Sequence, residues 1–402
     1  MLVQLRPWLT SALFVVISTA PALAQSGDTF TLNANFARQS DSNLFRLPSN
    51  VNTNALIGRP SAAEVITSST IGFSVNKAYS LQRLELAANL VDNQYKNFSY
   101  LNFIARNYDA AWRWSLTPHL SGNLTTERKQ TLNSFADFQG YTQSNQRTVT
   151  NTRFDAVYDL YKTWSLRAGV SQSNQINQRA VLANDDFEST VSDLGLRFAY
   201  ASGSSLTYSV KNTDGTYINR TLPLNGLSNN SFNQVDHGVN LLWVISAKSQ
   251  ANLSAAQIRR THPNNAQLDF SGLTTTVNVN WNLSGKSALT AGWAHELASY
   301  QTSNSSYTQT DRISIGPVWQ ISPKTSIRLR HEVAKLDYFG TPAGVLSAQR
   351  SDTTRETSLS FDWQPYKNLA LNASLQNVSR ATNAAGFDFD SRIALISARL
   401  TY

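Results

Sequence analysis

The feature that most constrains this chain is a rhythm, in which alternating segments are punctuated at intervals of roughly forty residues by very short turns. The turns fall at Asn76-Lys77-Ala78, Thr117-Pro118-His119, Tyr161-Lys162-Thr163, Ser202-Gly203-Ser204, Ala247-Lys248-Ser249, Ser284-Gly285-Lys286, Ser322-Pro323-Lys324 and Pro365-Tyr366-Lys367. Gly, Pro, Ser and Lys dominate them, as two- to four-residue hairpin connections require. Longer connections at 39–63, 93–98, 132–146, 177–186, 218–232, 261–267, 302–306, 339–351 and 382–387 are loaded with Asn, Ser, Thr, Gln, Asp and Gly. Strand, tight turn, strand and long polar loop, repeated, is how an antiparallel up-and-down barrel reads in sequence. The pattern predicts an all-β transmembrane barrel of eighteen strands, or sixteen if the weak segment around Ala251 to Arg260 is not a strand.

The two faces of each strand point the same way. In Thr274 to Leu283 the even positions Thr274, Thr276, Asn278, Asn280 and Asn282 are polar, while Val277, Val279, Trp281 and Leu283 alternate with them. Ser358, Ser360 and Asp362 oppose Leu359, Phe361 and Trp363 in the same way. An apolar content of only 41% fits a molecule with a second, wet surface inside. Trp114, Tyr158, Tyr200, Trp243, Trp281, Trp319 and Trp363 each stand just before a tight turn, and Tyr402 ends the final segment. Aromatics recurring at one height predict an interfacial girdle, where a ring can sit in lipid with its polar tip among headgroups.

Residues 1 to 24 carry one charge, Arg6, then an apolar run from Leu9 to Ile17 and the small-residue site Ala22-Leu23-Ala24. This predicts a secretory signal, with the barrel occupying 25–402. Without cysteine, and with five scattered histidines, the chain offers no metal-ligand spacing and calls for no cofactor. Nor does any pattern point to nucleic acid. No catalytic constellation is evident, because His331, Glu332 and Arg330 are neighbours whose side chains alternate between faces. Pro317 removes a ladder donor within Asp311 to Ile321, and a bulge is expected there.

The face opposite the apolar one collects Arg83, Glu85, Asp109, Arg113, Arg153, Asp155, Arg167, Asp193, Arg197, Arg312, Arg328, Arg330, Glu332, Glu356, Asp362 and Arg399. Arg153, Arg167, Arg197, Arg312, Arg328, Arg330 and Arg399 are the candidate contacts for an anion or a polysaccharide. A lattice of salt bridges that only stiffens the wall is the competing account of the same residues.

From Phe387 to Tyr402 one face holds Arg392, Ala394, Ile396, Ala398, Leu400 and Tyr402, and this strand resembles the terminal assembly signal of bacterial outer-membrane barrels. Its expected partner is Thr29–Arg38, which removes both sheet edges. The segment Phe36 to Pro48, with Asp41, Asn43, Leu44, Phe45 and Arg46, resembles the opening of the EpsL-type outer-membrane proteins of exosortase-linked exopolysaccharide clusters. That resemblance implies a role in exporting an extracellular polysaccharide, with periplasmic and inner-membrane export proteins as partners. Outer-membrane lipid and lipopolysaccharide would surround the barrel, and both termini would be periplasmic. Two other readings stand beside it, a diffusion porin or small-solute channel and a non-transporting surface barrel that binds glycan. Loop 39–63 discriminates between the first two, since a loop folded inward narrows the pore and favours small solutes.

Overall fold

The computed structural model describes residues 29–136, 142–179, 185–220, 230–263, 265–300, 305–340 and 349–402. The expected signal segment lies outside them. Alternation carries most of the described residues into eighteen antiparallel strands. In order these begin with β1 (Thr29–Asp41), β2 (Glu64–Tyr79), β3 (Gln82–Tyr95), β4 (Phe103–Thr117), β5 (Leu120–Leu132) and β6 (Gln146–Asp159). They continue with β7 (Trp164–Asn177), β8 (Phe187–Ala199), β9 (Ser205–Thr216), β10 (Ser231–Ser246), β11 (Ser249–Thr261) and β12 (Phe270–Asn282). The last six are β13 (Ser287–Ser299), β14 (Tyr307–Ser322), β15 (Thr325–Phe339), β16 (Ser351–Tyr366), β17 (Leu369–Thr382) and β18 (Phe389–Thr401).

Each strand pairs with its sequence neighbour, and β1 pairs with β18 from Asn33 opposite Thr401 to Asp41 opposite Ile393. Leu32 and Tyr402 exchange both backbone hydrogen bonds, at 2.7 and 2.8 Å. The sheet is thereby a closed barrel without an edge. The weak segment is a full strand, β11, so the number is eighteen.

Two local expectations change. The first turn is at Ser80 and Leu81, because Ala78 and Tyr79 still pair with Arg83 and Gln82; Ser80 takes a φ of 54° to turn the chain. Pro317 makes no bulge. Leu289 faces it on β13, and on the β15 side pairing lapses at Gly316 and Pro317 before resuming in the same register at Val318 and Arg328. The missing donor thus costs one break in the ladder, while the bulge on this strand lies between Gln320 and Ser322, beside the tight turn.

One face of the wall is apolar and exposed. Ile71, Leu194, Ile313, Leu375 and Ile396 are each more than half exposed, and the residues between them along each strand point the other way. That other face is the inner one, since its side chains meet loop residues belonging to strands that are not neighbours. Buried packing concentrates at the long-loop end, where Leu44, Phe45, Leu47, Ala62, Tyr95, Phe98, Leu101 and Phe135 form one cluster.

Candidate functional site: an arginine-lined lumen with a folded mouth

The inward face between β3 and β8 is a chain of polar contacts. Glu85 accepts from Nε and Nη2 of Arg113 at 3.0 and 2.9 Å, and the Arg113 guanidinium also donates to Asn123 at 3.3 Å. Asn123 in turn donates to Asp155 at 3.0 Å. Arg153 lies 3.6 Å from Asp155 and forks onto Asp193 two strands away, at 2.7 and 3.1 Å. The fork crosses β7 at Gly169, where a Cβ would collide with the Arg153 guanidinium. Glycine is needed there for that close approach, and it makes an ion pair over a strand possible.

A second inward group spans β13 to β17. Arg312 sits 3.5 Å from both Glu296 and Glu332, and Arg330 reaches Glu332 at 2.5 Å. Glu332 and Glu356 face each other directly across β15 and β16, a like-charge pair that Arg330 and Arg312 offset. Arg328 meets Asp362 at 2.8 Å, and Asn372 donates to the same carboxylate at 3.0 Å.

Of the seven arginines singled out in the sequence, Arg153, Arg312, Arg328 and Arg330 therefore have carboxylate partners. Arg167, Arg197 and Arg399 have no ion pair among the described residues. These three stand within three residues of the short-turn ends of β7, β8 and β18. Arg167 is directly opposite Gly195, so Arg197 and Asp193 are both diagonal to it on β8 and Asp155 and Asp159 are diagonal to it on β6; two guanidiniums stand adjacent with carboxylates near Arg167 but no ion pair formed. That spacing suits one carboxylate or phosphate held from two sides.

The mouth is built from the segment around Asp41. Its carboxylate is 1% exposed, accepts from the Asn43 amide at 2.9 Å and from Ser391 of β18 at 2.7 Å, and pairs with Arg46 at 2.8 Å. Asn43 caps the turn in both directions, accepting from the Leu47 amide at 2.9 Å and donating to the Leu47 carbonyl at 2.8 Å. Arg46 takes a φ of 56°, and the turn drives Leu44 and Phe45 inward. Phe45 meets Phe98 and Phe135 edge to face, each at 4.7 Å. Those two rings belong to the loops after β3 and β5. Glu64, also 1% exposed, fixes the first of these loops by accepting from the amides of Asn97 and Phe98 at 2.9 and 2.8 Å. The cluster rests on Ile66 and Phe103 of the inner wall. Loop 42–63 is folded inward, which sequence patterning left open.

The expected girdle residues lie on the outward face near the tight turns, with Tyr158, Tyr200, Trp243, Trp281, Trp319 and Trp363 between 44% and 54% exposed and Tyr402 at 90%. Trp114 differs. At 6% exposure it stacks on Phe154 at 5.8 Å, because Gly122 opposite leaves a slot that a Cβ would close against the indole. Among the described residues no group of three His, Asp or Glu side chains is placed to hold a metal ion.

No protein-family model matches the chain, and no curated protein matches it. Solved structures do. OccK2 (OpdF) of Pseudomonas aeruginosa is similar with a TM-score of 0.53 and 11% identity, over 93% of this chain and 98% of that one. OpdQ of the same organism gives 0.51 and 12%, over 93% and 99%, and its outer membrane protein OpdK gives 0.51 and 10% over the same shares. OccK2 has also been solved with glucuronate and OpdK with vanillate. At these identities the likeness is one of fold, and it says that this chain is built as a closed eighteen-stranded barrel of the kind those outer-membrane proteins use.

Proposed function

We propose that this chain is a porin of the Gram-negative outer membrane that passes small solutes and favours anions. The observation that carries the reading is a polar, arginine-lined lumen under a mouth narrowed by the Phe45 loop, inside a wall whose outward face is apolar. An exposed apolar band around a closed barrel needs lipid to cover it, and the girdle aromatics would mark its boundary at the periplasmic side. Short turns and both termini then face the periplasm, and the long loops face outside. Solutes entering past the loops reach Arg167, Arg197 and Arg399 last. Held in no ion pair among the described residues, these arginines would raise the local concentration of anions at the exit, against the opposing field of Asp155 and Asp159 near Arg167. That glucuronate and vanillate are the molecules solved with two similar barrels supports an anionic cargo.

The export reading rests on the resemblance of Phe36 to Pro48. In the structure Asp41, Asn43, Leu44, Phe45 and Arg46 of that segment fold and hold the loop at the mouth, which favours a small-solute channel over passage of a polymer. In this reading the chain's work is conduction, and among the described residues no set of side chains argues for catalysis.

Planar-bilayer recordings test the proposal. Wild-type protein should conduct with anion-over-cation selectivity, and Arg167→Gln/Arg197→Gln should lower it with conductance retained. Reversal potentials at the cation side for wild type, or no channels at all, would sink the reading. A deletion strain that loses secreted polysaccharide while the purified protein fails to conduct would restore export.

A further inference from the structure

The outward face is not uniform above its apolar band. On the arc running β16, β17, β18, β1 to β5 it carries Arg355, Arg392, Arg38, Arg106 and Arg128. On that face Arg106 stands between Ile104 and Tyr108, Arg38 follows Phe36, and Arg392 precedes Ala394 and Ile396, while the nearest outward neighbours of Arg128 and Arg355 are Thr126, Gln130, Thr353 and Thr357, with Leu124 and Leu359 beyond them. Each stands three or four residues in from the end at which its strand meets a long loop. Five guanidiniums thus share one height. Four are exposed and Arg128, whose guanidinium donates to the Arg106 carbonyl, is half-buried. None makes an ion pair among the described residues. The only outward acids on these strands are Asp92 and Asp390.

The opposite arc, β7 to β15, has the reverse balance within one to four residues of its long-loop ends. Glu188, Asp214, Asp311 and Asp337 face outward there against Arg259 and Lys335, and Lys335 is already paired with Asp337 at 3.0 Å. A random scatter of surface charge would not sort by side. Arginine next to an apolar wall is also the wrong choice for mere solubility, since its stem lies along lipid and its planar fork projects to the headgroup level.

We propose that this arc is a binding site for the phosphate groups of a phosphorylated glycolipid in the outer leaflet, lipid A in chemical class. Acyl chains would lie on the apolar residues below, among them Phe36, Ile71, Leu375 and Ile396, while phosphates take the unpaired guanidiniums above. The proposal rests on the outer-membrane reading, which fixes that end of the barrel in the outer leaflet. It predicts one lipid-rich side and one lipid-poor side on the same barrel.

The test uses the full chain in detergent, with bisphosphorylated lipid A and the dephosphorylated form of the same acyl chains as probes and native mass spectrometry as readout. Wild type should retain the phosphorylated lipid at least tenfold more tightly than the dephosphorylated one. Arg38→Gln/Arg355→Gln/Arg392→Gln combined with Arg106→Gln/Arg128→Gln should abolish that preference, while Arg259→Gln/Lys335→Gln on the other arc should leave it. If the fivefold variant does not fold, Arg38→Gln/Arg392→Gln on adjacent strands should still weaken it severalfold. Equal retention of both lipids by wild type, or equal loss from both arcs, would overturn the proposal. Bilayer conductance of the same preparations separates this failure from failure of the porin reading, because conduction does not need these outward groups.

Discussion

Arg380 of β17 donates to the backbone carbonyl of Ala136 at 3.1 Å, although the loop after β5 is six strand-to-strand steps away round the wall. Such a bond is a chord across the opening. The same guanidinium donates to the Phe387 carbonyl at 2.8 Å and lies 4.9 Å from the Phe389 ring centroid, so the chord is anchored at its β17 end.

Arg380→Ala should therefore widen the mouth. A hydrogen bond from a charged group contributes about 1.5–3 kcal/mol, enough to change the bridged population of the loop about tenfold or more. Single-channel conductance and its flicker should both rise while the thermal unfolding temperature of the barrel stays unchanged. Unaltered conductance would mean that the chord does not limit the opening.

Phe45→Ala removes the ring that joins three loops. Deleting a buried phenylalanine costs about 3–5 kcal/mol. Because the loss falls in the mouth, hydrogen exchange should speed up at the loops after β1, β3 and β5 before the strands respond. Global destabilisation without local exchange would show that the cluster is part of the wall's own core.

His262 gives the loop after β11 a pH dependence. Burial holds its imidazole below the ordinary histidine range; the bond to Asp269 at 3.3 Å opposes that shift, and Arg260 and Arg220 add to it. A depressed basic group favours the folded loop in its neutral form, so the unfolded loop binds more protons. The contribution is present above the unfolded value of about 6.5 and is lost as pH falls below it. Protection of the 262–269 amides should fall between neutral and mildly acidic pH in wild type, and His262→Gln should remove that dependence.

Gly169→Ala is a substitution that strand propensity would favour, yet here its methyl meets the guanidinium of Arg153. Arg153 should leave Asp193 and keep only its longer contact with Asp155. The stability lost with a partly exposed pair is about 1 kcal/mol or less, so the clearer readout is selectivity. Reversal potentials should shift toward anions, and a shift toward cations would show that Asp193 rather than Arg153 is released into the path.

Strand number, closure and the face on which each side chain stands were legible in sequence because they depend on a period of two and on turns a few residues long. The turn at Ser80 was misplaced by only a few residues, since Lys77 and Ala78 look like a turn until their cross-strand partners are known. Pairing between arginines and acids was not legible. Arg153 and Asp193 are forty residues apart and meet only because β7 offers a glycine between them. Arg167 and Arg197 look the same in sequence, yet form no ion pair among the described residues even with Asp155 and Asp159 near Arg167. The mouth was hidden for a related reason: the sequence marks Asp41 and Asn43 as part of a motif, but that Asp41 is held by Ser391 of the last strand, while Asn43 closes the turn on Leu47, shows only in the fold.

Closure of β1 on β18 also sets an order of events in time. Every other pairing joins neighbours along the chain and can form as a hairpin within microseconds, but this one joins segments at opposite ends of the described chain. Until β18 is available, β1 must present an unsatisfied ladder, and seventeen strands remain an open sheet with two adhesive margins. Completion of the wall is thus a single late event, and a chain cut short anywhere before Phe389 lacks the strand that makes it a vessel.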